Sequence, residues 1–211
     1  MSNEYSQMKP LESKNCFLRP VRLSDAKDLY ECYSKDVVVK YLPIKKHSNI
    51  KDTERFIKKF FINNYNQGRV GHYAIVSKRD NKVIGNQGFN NIKPGDEEAE
   101  IGICINPNYW GDDYATEITE AMINYGFTHL NLKRIIAETY KENSNSTKSL
   151  KNLGFIYLQT VTKKISNTNK KTNKNKLFKS ILLNTKDTVC YRYILYKENY
   201  TGYNKYLFYF F

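Results

Sequence analysis

The chain has 211 residues, with 34 Lys and Arg against 21 Asp and Glu, a formal net charge of +13. At 40% hydrophobic and 14% aromatic it holds enough apolar side chain for a core, which excludes wholesale disorder, and its length suits one domain. No apolar run approaches the ~20 residues of a membrane helix. Met1 to Lys14 lacks the apolar stretch of a secretory signal, so the expected compartment is the cytoplasm.

Cys16 to Leu23 alternates apolar and polar residues and reads as a strand. Ser24 reads as an N-cap, with Asp25 in the first turn, for a short helix to about Tyr33. Asp52 reads as the cap of a helix through Phe60 or Phe61. His72 to Ser77 and Lys82 to Phe89 are paired strands around the turn Arg79-Asp80-Asn81. Glu98 to Ile105 is a strand whose apolar face carries Ala99, Ile101, Ile103 and Ile105. Asn106 to Gly111 is a turn, followed by a helix from Tyr114 to about Leu130 with Ala115, Ile118, Ala121, Met122, Tyr125 and Gly126 as its stripe. Arg134 to Glu138 is a short strand, and Ser146 to Leu153 a helix ended by Gly154. Phe155 to Val161 and Asp187 to Leu195 are the last strands. This alternation indicates a mixed α/β sheet. The organisation read from it is an N-terminal arm (1–15), one domain (16–198) and an aromatic tail (199–211).

The charge is concentrated. Lys163, Lys164, Lys170, Lys171, Lys174, Lys176, Lys179 and Lys186 supply eight positive charges without an acid between them. The stretch at about 163–186 reads as a solvated insertion between the last two strands. It is either a composition-biased loop or a contact for RNA or the ribosome. Apart from Phe178 it lacks the aromatics that stack on single-stranded bases. Cys16, Cys32, Cys104 and Cys190 form no CxxC or CxxH cluster, which argues against zinc. His47, His72 and His129 lack ligand spacing and read as structural or exposed.

A strand, a turn containing Gly and a long helix together present backbone amides and a helix N-terminus, which suits a phosphate. Tyr109-Trp110-Gly111-Asp112-Asp113-Tyr114-Ala115 has that context, as do many ordinary connections. Its surroundings are more specific. Phe17-Leu18-Arg19-Pro20, Val83-Ile84-Gly85, Gly88-Phe89, Ala99-Glu100-Ile101-Gly102-Ile103, Tyr109-Trp110-Gly111, Tyr114-Ala115-Thr116-Glu117, Glu142-Asn143-x-x-Ser146 and Leu153-Gly154-Phe155 occur in family order. On these the chain resembles the GNAT acetyltransferases, in the branch that includes the ribosomal-protein alanine and serine N-terminal acetyltransferases.

The resemblance implies a mostly antiparallel sheet of six to seven strands with a central splayed pair, flanked by about four helices. It implies acetyl transfer from acetyl-CoA to an amine. The turn amides of Trp110, Gly111, Asp112, Asp113, Tyr114 and Ala115 would hold the CoA pyrophosphate. The backbone of Ile103, Cys104 and Ile105 would pair with the pantetheine, Asn143 would touch its arm, and Ser146 would lie near the sulfur. Asp113 departs from the family, which usually has glycine there. A carboxylate beside phosphates costs around 1 kcal/mol; Asp113 is expected to cap the helix and to weaken CoA binding without abolishing it.

Glu100 is the candidate general base, with Glu97 and Glu98 at the strand's edge less favoured. Ser146 is the candidate thiolate donor, a role compatible with a helix N-cap; Tyr140 is a weaker alternative acid. Cys104 reads as a strand residue, because the family transfers the acetyl group directly. The first-choice acceptor is a protein α-amine, with a ribosomal protein first. A small amine (an antibiotic or a polyamine) and a catalytically weakened RNA-binding domain stay open. The protein is expected as a monomer or homodimer.

Overall fold

The structure, a computed structural model, describes residues 8–67, 69–90, 92, 95–164 and 187–202. Within these residues one sheet contains β1 (Leu11–Glu12), β2 (Cys16–Pro20), β3 (His72–Ser77), β4 (Val83–Asn90), β5 (Glu98–Ile105), β6 (Arg134–Tyr140), β7 (Ile156–Lys164) and β8 (Asp187–Tyr196). Their spatial order is β1-β2-β3-β4-β5-β6-β8-β7. All neighbours pair antiparallel except β5 and β6. The helices are α1 (Ala26–Tyr33), α2 (Asp36–Val39), α3 (Ile50–Phe56), α4 (Asn63–Asn66), α5 (Tyr114–Thr128) and α6 (Ser144–Asn152). A π-helical turn, Ile57–Ile62, joins α3 to α4.

Alternation along β5 splits the core in two. Ala99, Ile101 and Ile105 pack with Ile118 and Met122 of α5 and Leu150 of α6. Cys104, on the other face, packs with Leu29, Cys32 and Tyr33 of α1 and Phe56 of α3. A strand covered on both faces needs this two-sided burial. The parallel link from β5 to β6 is the α5 crossover, so the first turn of α5 lies at the C-terminal end of β5.

Several expectations are corrected. The sheet has eight described strands, not six to seven, and the helices form five runs rather than about four, counting α3 through α4 as one. The extra strand comes from the presumed arm: Leu11 pairs with Leu18 and is buried, and Met8 joins the same core. Ser13 Oγ and Asn15 Nδ2 donate to the Glu117 carboxylate of α5 at 2.9 and 3.0 Å, tying this segment down. Ser24 does not cap α1; it lies in a 3-10 turn, Leu23–Asp25, and Asp25 holds the N-cap position. The Asp25 carboxylate, 4% exposed, is instead taken by both Arg19 terminal nitrogens at 2.8 Å. Asn49, not Asp52, caps α3, accepting from the Asp52 amide at 3.1 Å. Tyr200 of the tail packs on Phe127. The insertion at 165–186 and the tail at 203–211 lie outside the described residues. No helix among the described residues is long and apolar enough to cross a membrane.

Candidate active site

The site is built where β5 and β6 part. They pair from Glu98–Arg134 to Ile101–Ala137, and no pair follows. Beyond this point β5 keeps only β4, and β6 keeps only β8. The Asn106 amide donates to the Ile84 carbonyl at 2.7 Å. That bond makes Gly85 and Ile105 a non-hydrogen-bonded antiparallel pair, and the alternation then fixes the rest. Ile103 and Ile105 turn their N–H and C=O away from β4, into the gap. The Cys104 main chain bonds to Asn86 instead, and its side chain is buried. Trp110 Nε1 donates to the Ile105 carbonyl at 2.9 Å, so the exposed indole closes the end of the gap. The Ile103 amide and carbonyl, with the Ile105 amide, are the groups a bound amide chain can pair with there.

The turn after β5 is anchored at its base and open at its tip. Buried Tyr109 donates to Asp80 of the β3–β4 turn and lies under Arg79. Gly111 (φ +96°) and Asp113 (φ +57°) are both left-handed. A Cβ on Gly111 would meet nothing within 4 Å. The first α5 bonds run from the Thr116 and Glu117 amides to the Asp113 carbonyl. The amides of Asp113, Tyr114 and Ala115 precede that ladder and have no intrahelical acceptor. Trp110, Gly111, Asp112 and Asp113 are exposed. Asp113 occupies the N-cap position, but its side chain makes no capping hydrogen bond. The left-handed backbone is the reason: capping requires an extended N-cap residue.

At the far end of β6, Asn143 caps α6 by accepting from the Ser146 amide at 3.2 Å. Ser146 is therefore an interior first-turn residue and not the cap. It is partly buried. Gly154, at φ +87°, ends the helix with Gly154 N–Lys151 O and Phe155 N–Leu150 O bonds. Tyr140 stands against the Tyr41 ring at 5.9 Å, and burial raises its phenol above the ordinary range.

Glu100 lies one pair before the strands finish parting, on the α1–α4 face of the sheet, and is partly buried. Glu97 and Glu98, exposed, are ion-paired with Lys133 and Arg134. Asn90 Nδ2 donates to Glu100 Oε1 at 3.4 Å. Behind Asn90 stand His72, Asn86 and Tyr33, joined by hydrogen bonds. On the same face Glu138 of β6 accepts from Arg192 Nε at 2.8 Å and pairs with Lys163. Sequence reading missed His72, Asn86, Asn90, Glu138 and Arg192. The available signal was the period-two pattern Asn86-x-Gly88-x-Asn90, polar or small on one strand face. Glu138 and Arg192 are 54 residues apart and meet only through β6–β8 pairing.

The sequence and the fold are similar to those of known proteins. A family model for the GNAT acetyltransferase domain matches residues 15–156. An uncharacterized N-acetyltransferase of Bacillus licheniformis, p20, is 36% identical over 149 residues, covering 70% of this chain and 83% of that protein. A GNAT-family acetyltransferase from Bacillus anthracis shares the fold with a TM-score of 0.71 at 24% identity, over 90% of this chain and 99% of that one. A ribosomal-protein-S5-alanine acetyltransferase from Vibrio fischeri does so at 0.70 and 17% identity, over 92% and 99%. The last two likenesses are of fold. With strands that part beside an open helix N-terminus and a matching domain model, the chain belongs to the GNAT family of acetyl-CoA-dependent N-acetyltransferases.

Proposed function

We propose that the protein moves the acetyl group of acetyl-CoA to a protein N-terminal α-amine by direct attack, with Glu100 as general base. The observation that carries the reading is the parting of β5 and β6 after Ile101–Ala137, which turns the Ile103 amide and carbonyl into the gap. These groups and the Asp113, Tyr114 and Ala115 amides fit a pantetheine arm and its pyrophosphate. Glu100 takes a proton from the acceptor ammonium, directly or through one water, which frees the amine lone pair. The amine attacks the thioester carbonyl, and a backbone N–H of the parted strand stabilises the developing oxyanion. As the C–S bond breaks, the thiolate takes a proton from Ser146 or Tyr140, and that group recovers one through water from the nitrogen of the new amide, which leaves neutral amide and CoA thiol. The raised Tyr140 phenol is protonated at neutral pH and able to serve.

The fold likeness to the Vibrio ribosomal-protein alanine acetyltransferase supports a ribosomal protein as acceptor. The net charge of +13 disfavours a polycationic small amine. A mass-spectrometric panel tests this: peptides beginning Ala or Ser, the same peptides with a blocked N-terminus, polyamines and aminoglycosides. Acetylation of the free α-amine alone is expected. Turnover of a small amine with none of any peptide would overturn the acceptor assignment. Absence of turnover with every amine would overturn the catalytic reading.

A further inference from the structure

We propose that His72 and Asn90 are positioning residues for Glu100, at the end of a directional hydrogen-bond chain that begins at Tyr33. The proposal rests on Glu100 as general base. Tyr33 O–H donates to Asn86 Oδ1 at 2.5 Å, and Asn86 Nδ2 faces His72 Nδ1 at 2.9 Å. His72 Nε2 faces Asn90 Oδ1 at 3.1 Å, and Asn90 Nδ2 faces Glu100 Oε1 at 3.4 Å.

Each link constrains the next. With its oxygen taken by Tyr33, Asn86 presents its amide nitrogen to His72, so Nδ1 accepts. The neutral imidazole then carries its proton on Nε2 and donates to Asn90 Oδ1. Asn90 is left to offer Nδ2 to Glu100. The reverse setting, with both amides flipped and the proton on Nδ1, would set an amide oxygen against the Glu100 carboxylate. The charged carboxylate thus selects the direction of the whole chain. The 3.4 Å final link is long, as catalytic hydrogen bonds often are before substrate binds.

The surroundings hold the ring in place and uncharged. Phe61, from the π-helical turn, stacks on His72 at 4.7 Å. A Cβ on Gly88 would come within 2.8 Å of His72 Cγ, so glycine makes room for the ring. Burial lowers His72 to about 4, which keeps it neutral near pH 7. Tyr33, wholly buried, is raised and remains a donor. Among the described residues, Lys163 of β7 and Cys190 of β8 also interact electrostatically with Glu100. Beyond them on this face lie Glu138, held by Arg192 and Lys163, and Glu98, held by Arg134.

The test joins one spectroscopic and one kinetic measurement. Nitrogen-15 NMR of the wild-type imidazoles is expected to show His72 neutral with its proton on Nε2; a proton on Nδ1 would overturn the chain. In kinetics, Asn90→Asp places a negative charge beside Glu100 and disfavours the carboxylate form. The acidic limb of kcat/KM should then move upward by at least half a pH unit, with KM for acetyl-CoA unchanged. Asn90→Leu should lower kcat about tenfold, again without a change in that KM. A limb unmoved in Asn90→Asp, while Glu100→Gln abolishes it, would refute the positioning role alone. A limb that survives Glu100→Gln would remove the base assignment itself, and the proposal with it.

Discussion

Asp113 stands where a glycine would suit the backbone, at φ +57° beside the amides proposed to hold the pyrophosphate. Two effects separate by substitution. The left-handed conformation costs a residue with a Cβ about 1 kcal/mol, and the greater unfolded-state freedom of glycine returns about 0.5–1 kcal/mol. Asp113→Gly should therefore leave stability within about 1 kcal/mol of wild type. The charge term is larger for binding. In water, at ~6 Å, one phosphate charge and one carboxylate repel by about 0.7 kcal/mol, so two phosphate charges give about 1.4 kcal/mol. That is about tenfold in Kd. Asp113→Asn isolates the charge, and calorimetric titration with CoA at low salt should show about five- to tenfold tighter binding. The gain should shrink at high salt, where the Debye length falls to about 3 Å at 1 M. Asp113→Gly should tighten binding at least as much. Unchanged affinity at low salt in both variants would show that the phosphates lie elsewhere.

Gly85→Ala should destabilise by more than about 3 kcal/mol, because its Cβ would lie 2.0 Å from the Cys104 carbonyl oxygen, a clash between backbones; thermal melting checks this. Arg19→Met should cost about 3 kcal/mol by leaving the Asp25 carboxylate unpaired, and Arg19→Met with Asp25→Asn should recover part of it, read by urea unfolding. Stability should fall on acidification from pH 6.5 towards 4. Burial depresses His47, like His72, from 6.5 to about 4 in the fold, so the unfolded chain binds more protons in that window and the stabilisation is complete only above it. Urea midpoints at pH 7 and pH 5 measure this, and His47→Gln should narrow the difference.

The elements around the turn were legible because their periods are strong. The alternation at Glu98–Ile105 matches β5 at both ends, and the helix start at Tyr114 matches α5. The two-residue strand β1 was not legible, since its signal is its packing: Met8 and Leu11 in the core, and Ser13 on Glu117. Caps were misplaced by local shifts: Ser24 lies inside a 3-10 turn that runs into α1, and Asn49 precedes Asp52 at the start of α3. The polar chain at Glu100 was hidden for a different reason. Tyr33, His72, Asn86 and Asn90 come from three separate elements, and only strand register together with the packing of α1 on the sheet brings them together.

Amide hydrogen exchange with and without acetyl-CoA tests most directly whether the parted strands hold the co-substrate. Slowed exchange is expected at Ile103 and at Asp113, Tyr114 and Ala115, with little change along β3. Binding that protects other amides and leaves Ile103 and the turn unaltered would contradict the site.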